Sequence, residues 1–197
     1  NACACIIVIF MNNQLVDYGG DLAVGAYGIA NGIATVFLMF IIGLNQGMQP
    51  IAGYNYGAQQ IERLFRVFKL SIISATCIMT TGWLISRFFP YYCARMFTTD
   101  PKLIQIAIKA IHINLMMYPI LGFQMVTTNF FQCIGKVKVS IFLSLSRQLL
   151  FLLPLLYTLP RFFGVNGVWY SLPSSDFTAA LVAFIIMAIF MKKTKKQ

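Results

Sequence analysis

The run LAVGAYGIANGIATVFLMFIIGLNQGMQPIAGYNYGAQQI, residues 22–61, contains no charged side chain. Because a helix needs about 20 apolar residues to cross a hydrocarbon core about 30 Å thick, this run predicts a membrane span with polar residues left over at its end. One shorter apolar segment precedes this run, and four long ones follow it. The predicted spans are residues 1–16, 22–52, 64–89, 101–133, 139–159 and 165–191, and a basic tail follows at 192–197. The glycine-rich stretch DYGGD, residues 17–21, predicts a turn between the first two spans, and Asp100 followed by Pro101 predicts a capped helix start for the fourth.

The composition agrees with a membrane protein. Of 197 residues, 59% are hydrophobic and 10% are charged, and the mean hydropathy is +0.76, whereas soluble domains are about a quarter charged. Open sheets cannot satisfy their edges in hydrocarbon, so the fold class is all-α. We therefore predict a six-helix transmembrane bundle. Glycine pairs at four-residue spacing, Gly28 with Gly32 and Gly43 with Gly47, predict close helix approach.

The net charge of +10 does not indicate a nucleic-acid partner, because the basic residues occur in short clusters between apolar runs. If six helices cross in alternation, nine basic residues fall on one side and five on the other, which places the first side and the C-terminus in the cytoplasm. The nine are Arg63, Arg66, Lys69, Lys136, Lys138, Lys192, Lys193, Lys195 and Lys196. The five are Arg87, Arg95, Lys102, Lys109 and Arg161.

The chain begins at Asn1 inside an apolar run, without a charged leader or a cleavage site. It therefore reads as a piece of a longer protein whose first helix is incomplete. Five cysteines show no metal-ligand or disulfide spacing, so we expect small core residues and no metal or other cofactor.

The end of the second span is rich in neutral amides. The stretch NQGMQPIAGYNYGAQQ, residues 45–60, holds six amide side chains, three glycines and two tyrosines. Amides facing lipid would be costly, so they should face other helices or a wetted cavity. Gln46 and Gln49 project to one side of a helix that Pro50 bends or ends, and the glycines Gly53 and Gly57 predict a tight turn after it. The alternative is that the amides only tie helix ends together.

Three stretches together resemble the second half of a multidrug and toxic compound extrusion (MATE) transporter. They are GLNQGMQPIAGYNYGA at 43–58, FFQCIGKVKVSIFLSLSRQ at 130–148 and FGVNGVWYSLPSSD at 163–176. The resemblance covers nearly the whole chain. It implies a twelve-helix exporter of two six-helix lobes, which exchanges drugs for protons or sodium ions by alternating access. This chain would be the C-terminal lobe, with the N-terminal lobe, the lipid bilayer and small-molecule drugs as partners.

The resemblance also implies roles for individual residues. Gln46, Gln49, Pro50, Asn55 and Gly57 match the cytoplasmic end of the family's second helix in this lobe, where they would gate or line the inner cavity or only terminate the helix. On the fourth span, the offsets among Gln124, Asn129 and Gln132 spread them over a broad face, so we expect only the first two to line the cavity. Some branches carry coupling acids in this lobe, but the first and fourth spans here have none.

Two charges lie at membrane depth. Arg147 is nine residues past Lys138 and Asp176 is ten past Asn166, which puts each roughly 15 Å into a bilayer. Because their helices are consecutive and antiparallel, we hypothesise that the two charges meet. Alternatively, Arg147 snorkels to the surface and Asp176 bonds to backbone groups freed by Pro173.

One further titratable group is a candidate site. His112, near the outer part of the fourth span, is either pH-sensitive or a structural hydrogen-bonding group.

The sequence thus predicts a proton- or sodium-coupled antiporter that exports amphipathic, mostly cationic drugs, located in the cytoplasmic membrane. A lipid-linked saccharide flippase of the same broad superfamily is the alternative, and cationic residues along the cavity would favour it. One histidine and no nucleophile–base arrangement indicate a non-enzyme. The six-helix chain need not function without its partner lobe.

Overall fold

The computed structural model describes residues 2–194, and it describes the side chains of residues 7–192 and 194. The part of the chain that it describes is helical with short breaks. The helices are α1 (Ala2–Gly57), α2 (Ile61–Phe88), α3 (Pro90–Arg95), α4 (Pro101–Asn114), α5 (Tyr118–Cys133), α6 (Val137–Leu145), α7 (Leu153–Phe163) and α8 (Val165–Thr194), and a π-helical segment, Ser146–Leu152, joins α6 to α7. The end of the predicted basic tail, residues 195–197, lies outside the described residues.

The helix α1 is two helices joined at one glycine. Gly20 has φ 65° and ψ −170°, a backbone conformation that a residue with a Cβ rarely adopts, while its neighbours stay helical. The apolar part of α1, Ile7–Gly57, is 51 residues long, far more than one bilayer crossing needs. The break therefore divides α1 into two arms, residues 2–19 and 21–57, and it replaces the turn predicted at residues 17–21.

The second arm of α1 runs five residues past the predicted end of the second span. Pro50 lies inside the helix, and α1 ends at Gly57. Helices in membranes tolerate proline because neighbouring groups satisfy the freed carbonyl, so the prediction of a turn at Gly53 is wrong. Instead, the chain turns at Ala58 and Gln59, where Gln59 has φ 56°. Gly53 is a residue of the helix itself and faces the end of α5, where a Cβ at this position would lie 3.6 Å from the carbonyl oxygen of Cys133.

The predicted fourth span is bent rather than straight. Asp100 caps α4 by accepting a hydrogen bond from the backbone N–H of Lys102 at 3.0 Å, and Pro101 is the first helical residue, as predicted. The helix stops at Asn114, and α5 starts at Tyr118 with an axis turned by 52°. The proline at position 119, which cannot donate to the preceding turn, coincides with this break.

The number of membrane crossings follows from these breaks. Four helices or helix combinations of the described chain are long and apolar enough to cross a bilayer, and the bent pair α4–α5 gives a fifth. Counting the two arms of α1 separately gives six. The outer faces carry many exposed large hydrophobic side chains, which is normal where lipid is the solvent.

The helix α5 packs against α1, α2 and α8 and forms the centre of the bundle. Its Gly122 brings α5 close to α2, because a Cβ at this position would lie 3.2 Å from the carbonyl oxygen of Ala75. Near the other end of α5, the Phe130 ring lies 4.5 Å from that of Phe68 and 6.2 Å from that of Phe190, between ring centroids. These contacts tie three helices together.

Two predictions about packing are wrong. A Cβ at Gly28, Gly43 or Gly47 would meet no atom of the described chain within 4 Å, and Gly32 faces a flexible phenylalanine ring rather than a backbone. Of the five predicted core cysteines, Cys77 is exposed and Cys93 and Cys133 are half-buried, whereas the side chains of Cys3 and Cys5 lie outside the described residues. Both errors have one cause, since an apolar run in a membrane has lipid-facing sides that resemble a core in sequence.

Candidate functional site

A polar cavity of about 350 Å³ opens between three walls of the lobe. One wall comes from the second arm of α1, one from α5, and one from the end of α6 together with the π-helical segment. Most lining side chains are amides or hydroxyls, in a chain that is 59% hydrophobic. The lining residues are Ile42, Asn45, Gln46, Gln49, Gln124, Met125, Thr128, Asn129, Gln132, Ser144, Arg147 and Gln148.

The α1 wall carries the two glutamines singled out by sequence. Gln46 and Gln49 both line the cavity, together with Ile42 and Asn45, at spacings of three and four residues that place all four on one helix face. Asn55 does not reach this cavity. It is buried, and its amide donates to the carbonyl of Ile51 at 2.8 Å. Asn55 therefore stabilises its own helix, in agreement with the alternative that these amides have a structural role.

The α5 wall carries more amides than predicted. Gln124 and Asn129 line the cavity, and so does Gln132, which we expected to point elsewhere. The eight residues from Gln124 to Gln132 complete slightly more than two helical turns, so these two side chains return to nearly the same face. The predicted face was too narrow for a cavity this wide.

Two residues that line the cavity have a buried side-chain oxygen without a hydrogen-bond partner in the described part of the chain. The Gln124 side chain is 3% exposed, and its Oε1 has no hydrogen-bond partner within the described part of the chain. Asn45, 7% exposed on the facing wall, leaves its Oδ1 equally unpartnered there. Buried acceptors without a partner cost free energy, so both atoms call for a donor from water or from a bound molecule.

The third wall was only partly predicted. Arg147 and Gln148 lie in the π-helical segment, which shifts the helical register by one residue, and Ser144 precedes it at the end of α6. Short π-helical segments often occur at functional sites. The run SLSRQ, residues 144–148, is a cluster of polar residues inside an apolar helix, which indicates a polar contact. Its helical spacing alone does not show that Ser144, Arg147 and Gln148 face the other two walls of the cavity.

Arg147 and Asp176 meet, as hypothesised. The guanidinium Nε donates to the carboxylate Oδ1 at 2.7 Å, which joins the π-helical segment to α8. The Asp176 side chain is 5% exposed and that of Arg147 is 28% exposed. Of the five acidic residues in the sequence, the other four are exposed, so this is the one carboxylate that the fold buries.

A second, smaller cavity of about 90 Å³ lies behind this ion pair. Arg147 borders both cavities, whereas Asp176 borders only the smaller one. Asn114, at the end of α4, also faces the small cavity, and neither polar atom of its side chain has a partner among the described residues. Asn31 and two tyrosines, Tyr27 and Tyr118, complete its polar lining. The ion pair thus forms a partition between two polar spaces.

The remaining candidates, Pro173 and His112, line neither the large nor the small polar cavity. Pro173 lies inside α8, and Ser175 beside it donates to the carbonyl of Leu172 at 2.8 Å, so the serine satisfies its own helix. His112 lies in the last turn of α4, where its Nε2 is buried without a partner in the described chain, and it lines neither polar cavity.

No group of three or more potential ligands among histidine, cysteine and acidic side chains occurs within the described residues.

Comparisons with known proteins place this architecture in a family. The family model MatE matches residues 2–158. The multidrug export protein MepA of Staphylococcus haemolyticus (strain JCSC1435) is 23% identical over 179 residues, which are 91% of this chain and 39% of that protein. MepA of Staphylococcus aureus (strain MSSA476) is 23% identical over 175 residues, 89% of this chain and 38% of that protein.

Solved structures share the fold. The MATE multidrug transporter DinF-BH is 35% identical with a TM-score of 0.82, and the match covers 95% of this chain and 42% of that one. An outward-facing MATE family transporter of the MOP superfamily gives a TM-score of 0.90 at 24% identity, covering 100% of this chain and 44% of its own.

The match spans about two-fifths of the length of these relatives, which agrees with one lobe of a two-lobed transporter. Because the family model covers most of its residues, this chain belongs to the MATE family of multidrug efflux transporters.

Proposed function

We propose that the transporter containing this lobe exports amphipathic drugs across the cytoplasmic membrane in exchange for protons or sodium ions, by alternating access. The observation that carries the proposal is the amide-lined cavity with a buried ion pair at its back wall. Its volume of about 350 Å³ is within the range of small-molecule sites, and the N-terminal lobe would supply the facing wall. The relatives named multidrug export proteins support the same role.

The lining suits molecules of varied shape. Neutral amides such as Gln46, Gln49 and Asn129 can donate or accept without the cost of a buried charge. Ile42 and Met125 add apolar surface, and methionine adapts to different shapes. A site of this kind binds many amphipathic compounds loosely, as an exporter of diverse drugs requires.

Asp176 is the candidate coupling group of this lobe. It is the one acidic side chain that is buried in the described part of the chain, and it faces the small cavity, where a proton or a sodium ion would have the oxygens of Asn114 and Tyr118 nearby. A proton or sodium ion bound to Asp176 would weaken the ion pair between Asp176 and Arg147, and the Arg147 side chain borders the drug cavity. Ion binding behind the partition would thereby alter drug binding in front of it.

The membrane orientation is part of the same proposal. The nine basic residues that fall on one side, against five on the other, favour a cytoplasmic C-terminus. Three members of the larger group lie at helix ends, Arg63 and Arg66 in the first two turns of α2 and Lys136 just before α6.

The flippase remains a second candidate because of one observation. Arg147 is a cation on the cavity wall, and a cation there could hold a lipid pyrophosphate. The two functions differ in whether a soluble drug moves under an ion gradient.

The test is ethidium transport in proteoliposomes that contain the full-length transporter, with a proton gradient or a sodium gradient imposed separately. We expect ethidium to cross the membrane under one of the two gradients. Transport should stop when an ionophore collapses that gradient. The gradient that drives movement identifies the coupling ion. Movement under neither gradient contradicts the antiporter and leaves the flippase as the function to test.

A further inference from the structure

We propose that an apolar groove between α5 and α8 holds an acyl chain of an anionic phospholipid, whose phosphate lies against Lys136 and Lys192 at the C-terminal end of α8. The groove is separate from both polar cavities, and its lining residues belong to two helices of this lobe. The inference therefore goes beyond the proposed export function and does not depend on it.

The groove is a recess of about 390 Å³ in the side of the bundle. On α8 it is lined by the small, buried Ala180, and by larger exposed residues on either side of it, Phe177, Leu181 and Phe184. The first turns of α5 form the facing wall, directly after the 52° break that separates this helix from α4. The rings of Phe123 and Phe184, with centroids 6.2 Å apart, join the two helices at the rim.

This side of the lobe faces lipid rather than the drug cavity. Phe123 lines the groove and Met125 lines the large cavity, and helical residues two apart point about 160° away from each other. The two spaces therefore lie on opposite sides of α5. On α8, the exposed residues between positions 177 and 189 are all apolar, as contact with lipid requires. They are Phe177, Leu181, Phe184, Ile185 and Ile189.

Two lysines lie where this apolar face ends. Lys192 is the next exposed residue of α8 after Ile189. It lies eleven residues past Leu181, close to three helical turns, so both side chains point to the same side of the helix. Lys136 follows the end of α5, and its Nζ lies 4.1 Å from the centroid of the Phe190 ring on α8. Basic groups between membrane helices at a bilayer surface bind anionic lipid headgroups.

The distance from the lysines to the groove fits one leaflet of a bilayer. Eleven residues of α-helix span roughly 16 Å, and half of a hydrocarbon core is about 15 Å thick. A phospholipid with its phosphate at Lys192 therefore places the end of an acyl chain beside Leu181, in the groove. Glu62, at the start of α2, is an acid at the same end of the lobe, but Arg63 and Arg66 beside it keep that end positive.

The test is photo-crosslinking of the full-length transporter in phosphatidylcholine nanodiscs. Each sample contains a small fraction of a probe lipid with a diazirine near the end of one acyl chain, either phosphatidylglycerol or phosphatidylcholine. Peptide mass spectrometry locates the crosslinks. The variant Lys136→Gln/Lys192→Gln removes both cations at surface positions, and Ala180→Leu fills the groove. Because crosslinking does not require transport, its outcome is independent of whether the protein exports ethidium.

Two controls separate this site from ordinary lipid contact. Arg63→Gln removes a cation at the same end of the lobe, but Arg63 donates to Gln60 in the loop between α1 and α2, away from the groove. Ile73 is exposed on α2, and the same helix carries Arg66 and Lys69. Labelling at Ile73 therefore measures the attraction of anionic lipid to basic residues where this groove is absent.

In the wild type and in Arg63→Gln, we expect the ratio of phosphatidylglycerol to phosphatidylcholine labelling to be severalfold higher at residues 119–123 and 177–184 than at Ile73. The double lysine variant should lower the ratio in the groove to that at Ile73, because the headgroup loses its cations. Ala180→Leu should reduce labelling of the groove by the phosphatidylglycerol probe and leave labelling at Ile73 unchanged.

Three results would overturn the proposal. The first is an equal ratio in the groove and at Ile73 in the wild type, which would mean ordinary lipid contact. The second is a preference for phosphatidylglycerol that survives in the double lysine variant, which would mean that Lys136 and Lys192 do not hold the headgroup. The third is a groove that neither probe labels, which would mean that protein rather than lipid covers it.

Discussion

Arg147→Gln is expected to destabilise the transporter more than Asp176→Asn does. The first change leaves an aspartate that is 5% exposed without its cation, and breaking a buried ion pair in this way costs about 3–5 kcal/mol. The second change leaves an arginine that is 28% exposed and has a polar cavity beside it, so its charge remains partly hydrated. The double variant, which buries no unpaired charge, should be more stable than Arg147→Gln alone.

The same three variants test coupling. Each single variant should lower the rate of gradient-driven drug transport at least severalfold, and the double variant should lose no more than either, because both residues act through one contact of 2.7 Å. Thermal unfolding in detergent and ethidium transport in proteoliposomes provide the two measurements. Additive losses of transport, or equal stability of the two single variants, would show that the residues act separately.

Gly167→Ala is expected to be the most damaging single methyl addition in the chain. Gly167 is buried near the start of α8, and a Cβ there would collide with the backbone carbonyl of Leu159 and lie 2.8 Å from the nitrogen of Pro160. Backbone atoms cannot rotate away as a side chain can, so α7 and α8 must separate. Overpacking of this kind costs about 1–3 kcal/mol or more.

A matched control exists for this prediction. Gly28→Ala adds the same methyl in α1 where no atom of the described chain lies within 4 Å, and replacing a helical glycine by alanine gains up to about 1 kcal/mol. We therefore expect a lower unfolding temperature for Gly167→Ala and an equal or higher one for Gly28→Ala. Two variants of equal stability would mean that α7 and α8 do not pack this closely.

The sequence predicted best where a local signal determines the structure. Asp100 followed by Pro101 marked the start of α4, because capping depends on adjacent residues. The glycines at positions 19 and 20 marked a break in α1, although it occupies one residue rather than a turn. The FGVNG stretch carried the family resemblance, and the structure gives a physical reason for its second glycine.

Features that depend on tertiary contacts were not predictable. Pro50 ends no helix, because the cost of a missing N–H depends on neighbours that the local sequence does not show. Pro119 coincides with the break between α4 and α5, but a proline alone does not determine the angle of 52° between the two helices, and the π-helical segment has no recognised sequence pattern.

In the candidate site, helical spacing predicted Gln46 and Gln49, because these residues share a face within one helix. It could not show that Gln148 and Ser144 face them across the cavity, since that depends on the packing of three helices. For the same reason, the sequence could not decide whether Arg147 contacts Asp176. Matching depths in the membrane allowed it, but only the register of the π-helical segment against α8 decides it.

If the amide-lined cavity binds the exported drug, as we propose, a bound dye protects a thiol on the cavity wall from labelling. Ser144 is exposed on the cavity wall and accepts a cysteine with little change in volume, whereas Gln60→Cys places the same thiol in the loop after α1, outside the cavity. In a full-length transporter without its native cysteines, labelling by a small maleimide is timed with and without a saturating transported dye. The dye should slow labelling at Ser144→Cys severalfold and leave labelling at Gln60→Cys unchanged. Equal labelling of Ser144→Cys with and without the dye would mean that the dye does not bind in this cavity.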